Sequence, residues 1–411
     1  MSFFIMLAGV ASRGVTTSNA NANSITVIDF VYEGKSYRYK DSPIIAPNHL
    51  VSEEIQVRKL NASLPEKLRL VEKNLQAGTD YQKAIRYCFP LLPKTIDVVL
   101  AAVNTPSIDS TLTFNPRAKP YFNVTREQMG FELDAETLYR DVYLHLKRGV
   151  NAPLHVRPKM VKPQRTAQDN AKLTRLRATF STGYKNSAAG RKHNIGLAMH
   201  KINGTKLEPG EEFSFNKVVG KRCITNGFKV AKIINGGQYV DGVGGGVCQA
   251  STTLYNAALL ADMHIVQVKN HSLLSSYVPP SFDAMVNSGT SDLRFKNTGD
   301  TPVFIRAVAD GEKVQVEFYG MPLPHKISFE SVTVAKGEPP TDKQELDVEY
   351  KYFNPDIAIS GEHKRIAKGY GTLKSEGYLV YTDMRTGEII KKELIRKDTY
   401  KSLQGKVVIA P

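Results

Sequence analysis

Residues 241–253 read DGVGGGVCQASTT, and this segment decides how the middle of the chain folds. Its glycines at 242, 244, 245 and 246 permit positive φ angles and a close approach of the backbone to another group. A helix-like run follows over residues 249–261 and includes LYNAALLA. The pattern therefore predicts a tight glycine loop that leads into a helix, whose free N–H groups and positive dipole end face whatever occupies the loop.

Cys248 stands where this loop meets the predicted helix. A thiol at a helix N-terminus has a lowered pKa, which makes it a candidate nucleophile, with His271 or His264 as its base. The alternative is an inert cysteine that packs under a glycine turn. No lysine follows the glycines, so the segment does not match a nucleotide-binding phosphate loop. We predict no cofactor and no metal site.

A second candidate lies in residues 209–216, PGEEFSFN, where Glu211 and Glu212 stand beside Phe213 and Phe215. A carboxyl group against aromatic walls has its charged form disfavoured, which suits it to act as a general acid near neutral pH. Glycosidases use this device. The alternative is that both glutamates are solvated residues at the edge of a strand.

The composition favours a globular protein with a polyanionic partner. Hydrophobic residues make up 41% of the 411 residues, and 55 basic against 40 acidic residues give a net charge of +15. Such a charge favours nucleic acid, anionic lipid or acidic wall polymers, but no zinc-finger spacing or aromatic RNA-binding signature accompanies it. We therefore predict no nucleic-acid partner. The three widely spaced cysteines form no CxxC metal site. They allow at most one disulfide, which excludes a disulfide scaffold.

The N-terminal sequence predicts export. MSFFIMLAGVA is a short apolar run, and Ala20-Asn21-Ala22 follows as a cleavage site of the A-x-A type, although the basic residues that usually precede the run are missing. No later run approaches the roughly 18 apolar residues of a membrane span. We expect a mature chain without a membrane span, located outside the cytoplasm at the wall or cell surface.

The length and the patterns along the chain predict a multidomain α+β protein. After a signal peptide at 1–22, we expect an α+β domain at 23–168, a β-rich central domain with a few helices at 170–325, and a small all-β module at 326–411. Residues 25–40 predict a hairpin, 96–103 a strand, 135–148 a helix capped by Asp134, and 194–201 a second helix.

The motifs of residues 182–306 resemble the VanW family, named from vancomycin-resistance operons. They include TGYKNSAAGRKHNIGLAMH, GGGVCQASTTLYNAALLA, HSLLSSYVPPSFDAMV and SDLRFKNTGDTPVFIRA, in the order of the family. Residues 122–163 resemble the peptidoglycan-binding (YoaR-like) domain that commonly precedes this module. The stretch from residue 360 is similar to a divergent glycine-named wall-associated repeat. The resemblance implies an exported protein that binds or acts on peptidoglycan.

Three mechanisms follow from this resemblance. In the first, which we rank highest, Glu211 acts as the acid and base of a lytic transglycosylase that cleaves the glycan strand. In the second, Cys248 attacks a stem-peptide carbonyl and His271 accepts its proton, as in a transpeptidase or peptidase. In the third, the protein binds peptidoglycan without catalysis. We predict substrate contacts from Gly244, Gly245, Gly246, Gln249, Ser251, Thr252, Asn194, Arg191, Tyr277 and Asp283.

Overall fold

A computed structural model describes residues 26–40, 63–149, 152–235 and 238–411. The predicted signal peptide at 1–22 lies outside these residues. The chain divides into two compact units. Unit 1 comprises Met1–Thr111 and Arg126–Thr166, and unit 2 comprises Leu112–Thr125 and Ala167–Pro411. The boundaries of the three predicted domains remain a prediction.

The helices of the described residues are distributed over both units. In chain order they are α1 (Leu64–Gln76), α2 (Tyr81–Cys88), α3 (Leu92–Val103), α4 (Ala135–Lys147), α5 (Ala167–Lys172), α6 (Ala189–Ile202), α7 (Phe215–Val219) and α8 (Val247–Leu260). None of the helices in this part of the chain is both long enough and apolar enough to cross a membrane.

The strands form several small sheets rather than one large one, which confirms the predicted α+β class. In chain order they are β1 (Val27–Tyr32), β2 (Lys35–Lys40), β3 (Leu112–Phe114), β4 (Phe122–Val124), β5 (Gly130–Glu132), β6 (Leu154–His155), β7 (Lys159–Val161), β8 (Leu176–Gly183), β9 (Thr205–Leu207), β10 (Glu212–Ser214), β11 (Val230–Asn235), β12 (Gln238–Val243), β13 (His264–Gln267), β14 (Arg294–Lys296), β15 (Val303–Ala309), β16 (Lys313–Tyr319), β17 (His325–Lys336), β18 (Lys343–Leu346), β19 (His363–Ala367), β20 (Leu373–Asp383), β21 (Ile389–Tyr400) and β22 (Lys406–Ile409).

Unit 1 packs helices α1 to α4 with the predicted hairpin β1–β2, which is confirmed. The helix at 135–148 is also confirmed, and the Asp134 side chain accepts a hydrogen bond from the Thr137 N–H at its start. The strand predicted at 96–103 is wrong, because these residues belong to α3. Leu92, Ile96, Val99 and Val103 of α3 are buried at helical spacing, so this apolar run covers one face of a helix.

Unit 2 is built around α8, which is surrounded by other elements. The antiparallel sheet β8-β16-β15-β9 packs against α6 and α8. All eleven residues from Gln249 to Leu259 are buried, both apolar and polar. A helix buried on all sides has no solvent to satisfy its polar side chains, so each one needs a partner in the protein.

The strands after residue 325 share this core. The sheet β17-β20-β21 contributes Ile327 and Leu379 to the same buried cluster as Leu254 of α8. Phe282, in the loop after β13, lies 4.7 Å from Phe329 of β17 between ring centroids. The C-terminal strands are therefore packed onto the elements that carry the glycine loop.

Candidate active site

The glycine loop folds as predicted, with glycine required at two positions. Gly246 caps α8 with a φ of 100°, and a β-carbon there would lie 2.7 Å from Cγ of Arg191. A β-carbon on Gly245 would lie 2.5 Å from the carbonyl oxygen of Lys232 on β11. The loop thus places the first turn of α8 against β11 and α6 at a distance that no other residue permits.

Cys248, the second residue of α8, lies beside a cavity of about 510 Å³. The cavity is lined by the glycine loop, by residues 271–277 and by residues 285–288. The Cys248 thiol is partly buried and contacts the carbonyl oxygen of Val286 at 3.4 Å. A partly accessible thiol in a concave site has the exposure that a nucleophile requires.

His271 and Asp283 complete a Cys–His–Asp arrangement. His271 Nδ1 lies 2.6 Å from Oδ2 of Asp283, and the backbone N–H of His271 donates to the same oxygen at 2.6 Å. His271 lines the same cavity as Cys248, and each of the two side chains shifts the pKa of the other. Because Asp283 holds Nδ1, the proton on Nδ1 is fixed and Nε2 is the nitrogen left for the thiol.

The electrostatics favour a thiolate paired with an imidazolium. Burial disfavours the charged form of Cys248, but the hydrogen bond and positive charge of His271 outweigh it, so the pKa of Cys248 is lowered. Burial also acts against a charged His271, yet the bonds to Asp283 and Cys248 raise its pKa to about 9. The pKa of Asp283 is lowered despite its burial, because His271 and Tyr400 hydrogen-bond its carboxylate.

Two side chains of β21 support Asp283. The Tyr400 hydroxyl donates to Oδ1 of Asp283 at 2.6 Å and accepts the Ser281 N–H at 2.8 Å. The Arg396 guanidinium donates to the backbone carbonyl of Asp283 at 2.5 Å and pairs with Asp398 at 2.8 Å. Asp283, 1% exposed, is therefore held from one side by His271 and from the other by the C-terminal strands.

Four of the predicted substrate contacts are buried side chains that bind other parts of the protein. Ser251 and Thr252 are fully buried and hydrogen-bond the backbone of Ala284, next to Asp283. Asn194 is fully buried and binds the backbone of Lys229 and Gly245. Gln249 is 2% exposed and donates to Thr182 and Gly183 of β8. These polar groups hold the loop and Asp283 in place and have no exposed surface to offer a ligand, apart from the edge of Gln249.

The remaining predicted contacts do line the cavity, except for Asp283, whose carboxylate is bound by His271 and Tyr400. Gly244, Gly245 and Gly246 form one wall, and Arg191 and Tyr277 stand on others. Arg191 donates to Ser187 at 2.6 Å and to Gln249 at 2.7 Å. The alternative base, His264, lies on β13, is exposed and lines a different cavity.

Glu211 is placed in a different setting from the one predicted. Its side chain is exposed in the turn before β10, where its carboxylate accepts the backbone N–H of Glu208 at 2.9 Å. Phe213 and Phe215, the expected aromatic walls, are buried in the core. Glu212 pairs with Arg294 across the sheet. Neither glutamate is among the described residues that line the Cys248 cavity.

Three residues of the site were missed from the sequence. Tyr400 and Arg396 lie more than 110 residues after Asp283 in the chain, and no local pattern links them to it. Arg222 lines the cavity from the loop after α7, where KRC gives no recognisable motif. No cluster of three or more potential metal-binding side chains occurs among the described residues.

Part of the chain is similar to a known protein family. Residues 190–319 match the family model described as VanW like protein. Uncharacterized protein YoaR of Bacillus subtilis (strain 168) is 42% identical over 140 residues, 34% of this chain and 46% of YoaR. Vancomycin B-type resistance protein VanW of Enterococcus faecalis (strain ATCC 700802 / V583) is 30% identical over 126 residues, 29% of this chain and 46% of that protein.

The chain matches about half the length of each of these curated relatives. Among solved structures, the crystal structure of HP0197-G5 aligns with 20% of this chain and 97% of its own, at 10% identity and a TM-score of 0.10. Cys248, His271 and Asp283 all lie inside the matched segment. The chain therefore carries a VanW-like domain at residues 190–319.

Proposed function

We propose that the protein is a cysteine acyl-transfer enzyme that acts on the stem peptides of peptidoglycan outside the cytoplasm. The proposal rests on Cys248 and His271 at the wall of one cavity, with His271 held by a hydrogen bond to Asp283 and each of Cys248 and His271 shifting the pKa of the other. A nucleophile, a base that contacts it and a third group that orients the base are the elements of nucleophilic acyl transfer.

The chemistry needs no further group. The Cys248 thiolate attacks the carbonyl carbon of an amide, and the electron pair of the C=O bond moves to oxygen. When the pair returns, the C–N bond breaks and the leaving nitrogen takes the proton from His271 Nε2, which leaves a thioester on Cys248. Water or an acceptor amine then attacks the thioester, gives its proton back to His271 and releases the thiolate.

The start of α8 provides stabilisation for the oxyanion. Cys248 is at the second position of α8, so its backbone N–H belongs to the group that has no acceptor within the helix. The positive end of the helix dipole is at the same place. An oxyanion formed on the carbon attacked by Cys248 would lie next to both.

The relatives and the charge support the wall as the place of action. One relative is named as a vancomycin resistance protein, and vancomycin acts on peptidoglycan. The net charge of +15 favours acidic wall polymers over neutral partners. Peptidoglycan as partner and an extracytoplasmic location are thus part of the proposal.

Lytic transglycosylation by Glu211 remains a prediction with less support. The exposed carboxylate is hydrogen-bonded within its own turn and is not beside the cavity. A general acid for glycan cleavage needs surroundings that favour its protonated form and a site that holds the sugar. The surroundings of Cys248 meet the equivalent requirements for acyl transfer.

The test is digestion of purified peptidoglycan by the full chain, with products analysed by mass spectrometry. We expect shortened or newly cross-linked stem peptides, which disappear with Cys248→Ala and persist with Glu211→Gln. Anhydro-muropeptides lost only with Glu211→Gln would show the transglycosylase instead. Intact peptidoglycan that binds the protein saturably, without products, would show a non-catalytic wall-binding protein.

A further inference from the structure

The cavity beside Cys248 has a one-sided charge. Arg191, Arg222 and Lys232 line it, and no aspartate or glutamate is among its described lining residues. Lys232 is paired with Asp241 at 3.0 Å, and both side chains are well exposed. An exposed pair of this kind is screened by water and contributes little to binding. Apart from His271, which is bound by Asp283, the two arginines are therefore the cations that a ligand in the cavity would meet.

Arg222 has unused hydrogen-bonding capacity. Its Nη1 donates to Oδ1 of Asn216 at 2.6 Å and approaches the carbonyl of Gly220 at 3.4 Å. Its Nη2 is buried and has no hydrogen-bond partner. A buried guanidinium N–H without an acceptor is unfavourable, and a carboxylate is the group that best satisfies it.

The position of Arg222 is fixed by the glycine loop and by an aromatic ring. A β-carbon at Gly244 would lie 2.8 Å from Cβ of Arg222, so the loop packs directly on the stem of this side chain. The guanidinium lies 5.8 Å from the centre of the Phe215 ring. The nearby acidic groups that act on Arg222 are the Cys248 thiol and Asp292. Asp292 is itself bound by Ser214 and by the N–H of Asn216.

We propose that Arg222 binds a substrate carboxylate, so that the preferred substrate is a peptide with a free carboxylate next to the amide bond that Cys248 attacks. A cavity of about 510 Å³ accommodates a ligand of small-molecule size. The carboxylate and the amide therefore belong to the same or to adjacent residues, as at the C-terminus of a stem peptide. This inference rests on the proposed acyl-transfer function and names its substrate class.

A competing role for Arg222 is to stabilise the Cys248 thiolate. That role would change the reactivity of Cys248 toward every reagent to the same extent. It would not make the protein distinguish a carboxylate from a neutral carboxamide of the same shape. The two roles are separated by comparing two such ligands.

The experiment measures binding by calorimetry to the full chain carrying Cys248→Ser, which prevents turnover. The probes are N-acetyl-D-alanyl-D-alanine and its C-terminal carboxamide. We expect the acid to bind about tenfold or more tightly than the amide, as for a charge-assisted hydrogen bond. Arg222→Gln should reduce the difference to less than about twofold, and Arg222→Lys should retain part of it.

Lys232→Gln is the matched control, since it removes an exposed cation from the same cavity and should keep the preference. Equal affinities for the two probes, no binding of the acid, or a preference that survives Arg222→Gln would overturn the inference. An unchanged circular dichroism spectrum and melting temperature show whether Arg222→Gln folds. If it does not fold, the Arg222→Lys result decides: a reduced preference supports recognition by the Arg222 guanidinium, and an undiminished preference contradicts it.

Cleavage of the two probes by the chain with Cys248 intact separates this inference from the proposed function. A binding preference without any cleavage would leave a carboxylate site but contradict acyl transfer. Cleavage of both probes at equal kcat/KM would support acyl transfer and contradict the carboxylate site.

Discussion

The Cys248 loop and the Glu211 turn are alike in sequence and different in structure. Each places a reactive group within two residues of a glycine with positive φ, Gly246 at 100° and Gly210 at 78°. Around Cys248, α8, residues 271–286 and β21 converge, so that the thiol contacts a histidine that is itself held by a buried aspartate. The Glu211 carboxylate, by contrast, accepts a hydrogen bond from the backbone of its own turn.

This difference shows that the reactivity of a group depends more on its partners than on the type of residue. Desolvation and fixed hydrogen-bond partners set the protonation state of Cys248 and His271. An exposed carboxylate in a turn is surrounded by water, which screens its interactions.

The largest effect is expected from Asp283→Asn. Asparagine has no negative charge, and its amide can donate as well as accept hydrogen bonds. The His271 ring therefore loses its fixed tautomer, and its positive charge is no longer stabilised. We expect the rate of stem-peptide product formation to fall about 10³-fold. Glu211→Gln, the matched change of a carboxylate to an amide, should leave the rate within about twofold. Similar losses in both variants would contradict the contrast.

The two glycines provide a second comparison, of stability. Gly246→Ala introduces a positive-φ alanine whose β-carbon meets Arg191, and we expect a loss of about 2 to 4 kcal/mol in the free energy of unfolding. Gly210→Ala has the same backbone problem but no atom within 4 Å, so about 1 kcal/mol is expected. Urea denaturation monitored by circular dichroism measures both. Equal losses would show that the packing around Gly246 is not tight.

A smaller effect is expected from Tyr400→Phe, which removes only the hydroxyl that donates to Asp283. Loss of one hydrogen bond to a buried carboxylate costs about 1.5 to 3 kcal/mol, part of which weakens the hold on His271. We expect kcat/KM to fall about tenfold. The pKa of Asp283 should rise, so that on acidification the variant loses activity at a higher pH than the unmodified protein. An unchanged pH profile would show that Tyr400 supports the fold alone.

Part of this site was predictable because its signals are local. The glycine loop, the helix after it, Cys248 and the choice between His271 and His264 all follow from short patterns of sequence. Asp283 was predicted to contact substrate, and its carboxylate is bound by a histidine 12 residues earlier and a tyrosine 117 residues later. Pairings over such distances are set by tertiary packing, which a single sequence does not encode in any local pattern.

Local patterns of sequence did not reveal the surroundings of two further regions. Ser251 and Thr252 remain predicted ligand contacts, yet both are buried and bind neighbouring backbone, as polar groups do in a helix buried on all sides. Residues 96–103 are a continuous apolar run, which fits a buried strand and a helix face equally well. Pro93, which precedes this run, is in the first turn of α3, where proline is favoured.

The alkylation rate of Cys248 tests directly whether its thiol is a thiolate paired with His271. In a Cys223→Ser background, which removes the other accessible thiol, the rate with iodoacetamide is measured from pH 5 to 10. Because the pKa of Cys248 is lowered, the rate should reach its plateau at a lower pH than the rate of a cysteine-containing model peptide measured in parallel. A rate that rises about tenfold per pH unit through neutral pH, as for an ordinary thiol, would contradict the claim.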